Sequence, residues 1–352
     1  MAQLVFQTAF PGDLFLSVPL LRQIRKWDPK TPIVLACRPG LGDFFLKQSL
    51  VDEVIEVNKK QSDRGEGALK LLQGRQWTNV FCPHQSFRTQ MWMRSLKVQK
   101  EKIGYASWFN WGGYSKTIVR RKSYPDALRQ LSLLTAVNED LKLKFDEIFK
   151  SKHFDNPKAT LSDLSFVEQE IPEWASMTVQ KFNSQSRTIS MAPGSVWATK
   201  RWTPAGFVEV GNYFVKRGFQ IQLVGSPDEK QLCQEIGSKI SGSVNLAGKT
   251  SLYEMIQVLA DSRALVSNDS GAMHMAALSG LPSVAVFGPT TLELGYRPWQ
   301  KYARVVQTPL SCRPCGKHGA HACPVGNLKC MTEIPAARVI SAVEYLISVS
   351  KA

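Results

Sequence analysis

A single carboxylate, Asp13, stands where this chain could move a proton. In FQTAFPGDLFLSVPLL (6–21) the apolar residues Leu4, Val5 and Phe6 run into Pro11 and Gly12, and Asp13 then precedes a second apolar run, with no cation before Arg22. A carboxylate at the end of a strand can take the proton of an attacking hydroxyl, which is worth about 10²–10⁴-fold in rate. The same acid in the first turn of a helix also serves as a cap facing the positive end of the helix dipole. A second Gly-Asp-Phe in RPGLGDFFL (38–46) places Asp43 after the next strand.

Three further loops carry groups suited to an anion or a sugar. APGSVWATKRW (192–202) brings Gly194, the Ser195 hydroxyl and the cations Lys200 and Arg201 behind a strand. That is phosphate chemistry. It is also what a solvated loop with two cations looks like, and the spacing is not that of a P-loop. LVGSPDEKQL (223–232) opens a helix with Asp228 and Glu229; spacing favours plain helix-start chemistry over a carboxylate that holds a ribose. VSNDSGAMHMAALSGLP (266–282) is the most informative line. Gly271 lets a ligand approach the backbone, and the helix that follows offers free N–H groups to a phosphate. Asp269 would repel that phosphate and should face a neutral, hydroxylated part of the ligand. His274, one turn in, serves equally as a helix histidine satisfied by a neighbouring loop.

These loops need strands to present them. Short apolar runs at 4–8, 33–37, 53–57 and 79–83 read as buried strands, with a helix expected over 14–27 that Pro19 should kink or delay. The alternation restarts with strands at 188–193, 219–225, 264–268 and 283–288 and helices at 204–217, 228–240, 251–261 and 271–279. Between them, a polar stretch with helical spacing (155–187) reads as the connection. The expected plan is α/β: two doubly wound domains, 1–165 and 188–334, with a linker at 166–187, a last helix at 335–352 and a cleft between the domains.

The 352 residues carry 44 Lys and Arg against 29 Asp and Glu, a formal charge of +15 that favours anionic partners. No stretch approaches the roughly 18 apolar residues of a membrane span, and the N-terminus does not read as a signal peptide, so a cytoplasmic protein is expected. No GxGxxG follows either first strand and no GxSxG appears, which removes nicotinamide, flavin and serine-hydrolase chemistry. Without a DxD motif at a strand end, no catalytic metal or other cofactor is expected. Cys312, Cys315, Cys323 and Cys330, with His318 and His321 nearby, contain one CxxC pair. They suit a structural zinc, though free cysteines in a folded loop are the favoured reading.

NDSGAMHMAALSGLPSVAVFGPT, APGSVWATKRW and LVGSPDE resemble glycosyltransferase family 9, the lipopolysaccharide heptosyltransferases, as do PGDLFLSVPLLRQIR and PHQSFRTQMWMRSLKVQKEKIGY. The Cys-rich stretch 310–331 is most similar to heptosyltransferase II members. The resemblance implies a GT-B fold, two Rossmann-like domains facing across a cleft, with the donor on the C-terminal domain and the acceptor on the N-terminal one. It implies inversion at the anomeric carbon, with Asp13 rather than Asp43 as general base. Ser195 and Lys200 would contact the donor diphosphate, Glu229 the ribose, Asp269 the donor sugar, and Ser270 and Gly271 the phosphate, with His274 matching the family histidine. The implied donor is ADP-heptose. The implied acceptor is an anionic glycolipid, lipid A carrying Kdo and heptose, met at the inner face of the inner membrane. Arg88, Arg94, Arg120 and Arg121 are the cations expected to meet it, with a solvated helix face as the plainer account of each. The alternatives are a family 9 transferase with another sugar or acceptor, or a silent nucleotide-sugar-binding protein. Nucleic acid fits the charge but finds no binding motif and is not an expected partner.

Overall fold

The computed structural model describes residues 1–58, 65–108, 112–151, 154–155, 164–166 and 170–350. The chain divides into two compact units: Met1–Asp155 with Pro172–Ser176, and Asn156–Ile171 with Met177–Ala352.

The first unit is built on strands β1 (Ala2–Phe6), β2 (Ile33–Cys37), β3 (Glu53–Glu56), β4 (Gln76–Phe81), β5 (Lys97–Val98), β6 (Lys102–Tyr105) and β7 (Lys116–Ile118). Their order is β3-β2-β1-β4-β6-β7, with β5 also on β4, and every pairing is parallel. A parallel sheet covered on both faces needs strands that are apolar throughout. β2 is wholly buried, and Val5 at the sheet centre lies between Leu35 and Phe81.

The second unit repeats the plan with β8 (Leu164–Phe166), β9 (Thr188–Ala192), β10 (Gln220–Leu223), β11 (Val244–Asn245), β12 (Ala264–Asn268), β13 (Ser283–Phe287) and β14 (Ala303–Gln307). The order is β11-β10-β9-β12-β13-β14-β8, parallel except for the antiparallel β8 edge. Val266 lies between Met191 and Val284 in a core that also takes Val339, Val343 and Leu346 of the last helix, Ala336–Val349.

Several expectations change. The helix expected over 14–27 is two helices, Pro11–Phe15 and Val18–Trp27. Pro19 sits in the first turn of the second, where its missing N–H costs nothing. The 155–187 stretch is not helical where described: it contains the strand β8 and a 3₁₀ turn at Glu173–Ala175, and 156–163 and 167–169 lie outside the described residues. The first compact unit runs to Asp155 and takes back Pro172–Ser176, and the final helix lies in the second unit. β14 went unread because a charge, Arg304, interrupts the short apolar run ARVVQ, although Arg304 is buried with its guanidinium over the Tyr345 ring. Among the described residues no helix is long and apolar enough to cross a membrane.

Candidate active site

In an open parallel sheet the crevice forms outside the carboxyl ends of the strands, where chain order reverses about a central strand. In the first unit that point lies between β1 and β4, in the second between β9 and β12. The residues singled out by sequence fall in loops at both points.

Asp13 leaves β1 in the first turn of the helix Pro11–Phe15 and is half-buried. Its carboxylate accepts a hydrogen bond from the Phe10 N–H, so the capping role exists, but the surroundings make it an unusual cap. Burial first, and then the Asp126 carboxylate, push its pKa up to about 6, against the pull of Phe10 N–H, Arg120 and Arg38. One buried amide fixes this geometry. Gln130 Nε2 donates to the Asp13 carbonyl at 2.9 Å and to Asp126 Oδ2 at 2.8 Å. Its Oε1 accepts from Ser17 Oγ at 2.5 Å and from Gln7 Nε2 at 3.2 Å. Asp126 in turn binds Arg120 at 2.6 Å and Arg129 at 3.5 Å. After β4, His84 Nδ1 lies 3.2 Å from Thr8 Oγ1 and 3.0 Å from Thr89 Oγ1, joining the two loops of this switch point. Asp43 is exposed at the start of a separate helix, Asp43–Lys47.

The expected acceptor cations separate. Arg88 and Arg94 are exposed on the helix Phe87–Ser95, whereas Trp92 and Met93 between them are buried in the core of the unit. Arg120 is committed to Asp126, and Arg121 stacks 3.7 Å over the Phe149 ring.

In the second unit the β9 and β12 loops are joined. Lys200 Nζ lies 2.7 Å from Asp269 Oδ2, and the Thr290 hydroxyl donates to the same oxygen. Asn268, the last residue of β12, accepts from the Trp202 N–H at 2.9 Å and donates to the Pro193 carbonyl at 2.8 Å. Ser195 is buried, and its carbonyl accepts from Arg201 Nε at 2.9 Å. Ser270 is the N-cap of the helix Gly271–Ser279, yet its side chain makes no cap hydrogen bond, and a Cβ built on Gly271 would meet nothing within 4 Å. The helix start is therefore open, with N–H groups to offer. His274 is buried within that helix.

Glu229 takes the helix-start role that its spacing favours, and it also faces the β9 loop. One carboxylate oxygen accepts the Ser226 N–H at 2.7 Å in a capping box. The other lies against the β9 loop, where a Cβ on Gly194 would come within 2.0 Å of it. The glycine leaves room for Glu229 to reach the loop that carries Ser195.

The four cysteines are free, with Cys330 buried and the others exposed or half-buried. Among the described residues no three His, Cys, Asp or Glu side chains are grouped to hold a metal ion. Other contacts fasten the loop. Arg313 donates to the carbonyls of Gly288, Thr308 and Thr290 and to Gln307 Oε1. Thr199 and Ala320 exchange hydrogen bonds in both directions, and the Trp197 ring packs 5.1 Å from that of His321. Burial and then the Lys200 and Lys317 cations hold the His318 imidazole below its ordinary range. The loop thus flanks the Lys200–Asp269 pair, a position its sequence pattern did not reveal. Asn268, Thr290 and Arg313 were likewise missed, since single polar residues at strand ends carry no spacing signal.

The family model described as glycosyltransferase family 9 (heptosyltransferase) matches residues 72–325, more than half of the chain. Lipooligosaccharide heptosyltransferase 2 of Haemophilus influenzae is 27% identical over 313 residues, 82% of this chain and 83% of the relative. A family 9 glycosyltransferase of Veillonella parvula aligns in structure with a TM-score of 0.76 at 21% identity, over 99% of this chain and 98% of that one. The ADP-heptose lipopolysaccharide heptosyltransferase II of E. coli aligns with a TM-score of 0.72 at 21% identity, over 100% of both chains. At such identities the structural likeness establishes the GT-B fold.

Proposed function

The chain belongs to glycosyltransferase family 9, and we propose from that premise that it transfers heptose from ADP-heptose to the inner core of lipopolysaccharide with inversion, using Asp13 as general base. The sequence relative and one structural neighbour, both heptosyltransferases acting on lipooligosaccharide or lipopolysaccharide, support the donor and acceptor classes.

One observation carries the chemistry: a half-buried carboxylate at the switch point of the first unit whose pKa is pushed up to about 6. Such a group is ionised at neutral pH and is a stronger base than an ordinary aspartate. In the proposed step the acceptor hydroxyl gives its proton to Asp13 while its oxygen forms a bond to the anomeric carbon. The bond from that carbon to the diphosphate oxygen breaks on the opposite face, and its electron pair leaves with ADP. Lys200 and the open helix start at Gly271 would stabilise the charge that grows on the diphosphate. Asp269 would accept hydrogen bonds from the donor sugar, and Glu229 from the ribose. The formal charge of +15 and the exposed Arg88 and Arg94 support work beside an anionic membrane surface.

The test is heptose transfer to purified inner-core acceptors by the wild type and by Asp13→Ala, with ADP-heptose binding measured in both. Transfer by the wild type, and a loss of at least about 100-fold in the variant with donor binding intact, is the expected result. Donor binding without transfer by the wild type would leave a binding protein or a different acceptor. No binding of any nucleotide-sugar would overturn the reading.

A further inference from the structure

Three buried polar side chains, Gln7, Ser17 and Gln130, meet behind the Asp13 turn. We propose that Gln130 is the positioning residue for the base, holding the Asp13 turn in one place relative to β1 and to Asp126, and that turnover depends on that hold. The inference rests on the proposed function and deepens it. The family resemblance gives none of the three residues a role.

The direction of each bond in this group is settled by the next. The Ala9 N–H donates to Gln7 Oε1 at 3.2 Å, so the Gln7 amide nitrogen is the group that donates to Gln130 Oε1. Ser17 Oγ donates to the same oxygen. Gln130 Nε2 must then point the other way, at the Asp13 carbonyl and Asp126 Oδ2. An amide offers two N–H groups and two lone pairs, and here all of them are engaged. Ser17 gives up its ordinary task for this arrangement. It stands at the N-cap of the helix Val18–Trp27, where a serine usually accepts from the helix N–H groups. Its hydroxyl makes no cap hydrogen bond and serves Gln130 instead.

Stability alone gives little reason for such a group, since apolar side chains of similar volume would pack there with no polar atom to satisfy. Its effect is orientation. Gln130 lies in the helix Asp126–Ser132, four residues after Asp126. One helix therefore carries both the amide that grips the Asp13 backbone and the carboxylate that acts on the Asp13 side chain. Slack in the amide would let that side chain reach water or the Arg38 and Arg120 cations, and either change makes it a weaker base. Slack also moves the base from the hydroxyl it serves, and a misplacement of about 1 Å can cost about 100-fold in rate.

The experiment compares the full chain with Gln130→Met, Ser17→Ala and Asn79→Leu. Asn79 is a second buried amide of the same sheet, donating to Gln3 Oε1 at 3.1 Å at the other end of β1 from Asp13. Heptose transfer, thermal unfolding and the titration of the Asp13 carboxyl-carbon resonance are measured for each; that resonance is identified by its loss in Asp13→Asn. In Gln130→Met kcat should fall about 10–100-fold with the KM for ADP-heptose unchanged, and in Ser17→Ala it should fall less. Asp13 should titrate near the wild-type value of about 6 in Asn79→Leu and lower in Gln130→Met. Asn79→Leu should lower Tm and leave kcat as it was. Turnover and titration unchanged in Gln130→Met would overturn the proposal. So would an Asn79→Leu variant that loses as much turnover, because lost stability would then explain both. If Gln130→Met does not fold, Ser17→Ala decides on the same two readouts. A wild type that transfers no heptose removes the proposed function, and the Asp13 titration then decides by itself whether Gln130 holds this carboxylate.

Discussion

The Lys200 ammonium lies 2.7 Å from the Asp269 carboxylate, with the two side chains 12% and 5% exposed. The family resemblance gives these residues separate tasks, one on the diphosphate and one on the sugar. Their pairing means that each holds the other in place before any ligand arrives. It also means that neither can be removed without leaving a nearly buried charge unpaired.

Lys200→Met is therefore expected to lose both donor affinity and stability. Breaking a buried pair from one side costs about 3–5 kcal/mol, because the remaining charge stays desolvated. The double variant Lys200→Met/Asp269→Asn removes both charges and should recover most of the stability while staying inactive. Thermal unfolding beside a transfer assay checks this. If the double variant unfolds as early as the single one, the pair is not what holds this loop.

Asn268 should behave as a positioning residue. Its amide joins the Trp202 N–H to the Pro193 carbonyl and so fixes the β9 loop against β12. Asn268→Ala leaves two buried backbone groups unpaired, at about 1–3 kcal/mol each. Weaker ADP binding and a lower Tm are expected together. Asn268→Asp can still accept from Trp202 but cannot donate to Pro193, and should fall between the two. Calorimetric titration with ADP orders the three proteins.

How much of this was legible follows from what each signal depends on. β2, β9, β12 and β13 were visible because a strand buried on both faces is apolar over most of its length. The helix Gly271–Ser279 was visible from its turn residues. β14 was hidden by Arg304, whose charge reads as surface until Tyr345 is found beneath it. Asp13 stood out because nothing local neutralises it, but Asp126 and Gln130, which set its chemistry, are more than a hundred residues away in sequence. Residue types at one loop can be read from sequence; partners brought in by the tertiary fold cannot.

Gly194 and Glu229 should be energetically coupled. A Cβ at residue 194 would stand 2.0 Å from the Glu229 carboxyl carbon, so Gly194→Ala must displace that side chain. If Glu229 holds the ribose, Gly194→Ala and Glu229→Ala weaken ADP-heptose binding by similar factors, and the double variant is little worse than either. Losses that multiply would show that the glycine serves the loop alone.

The raised pKa of Asp13 gives a pH dependence with a definite sign. A base must be ionised to accept a proton, so kcat/KM should rise with pH along a limb centred near 6. Asp126→Asn removes the carboxylate that raises Asp13 and the negative charge that offsets Arg120; both changes favour ionised Asp13 and move the limb to lower pH. Arg38→Gln removes a cation that lowers it and moves the limb to higher pH. Stability tests the same shift independently. Between the ordinary 3.8 and about 6 the folded protein keeps a proton that the unfolded chain releases, so Asp13 withdraws stability as pH rises through that window. Asp13→Asn should therefore gain on the wild type between pH 4 and 6, hold a constant advantage above, and show none from this cause below the window. A rate limb that ignores both Asp126→Asn and Arg38→Gln, with the stability difference still following this curve, would leave Asp13 a strained cap and transfer the catalytic proton to another group.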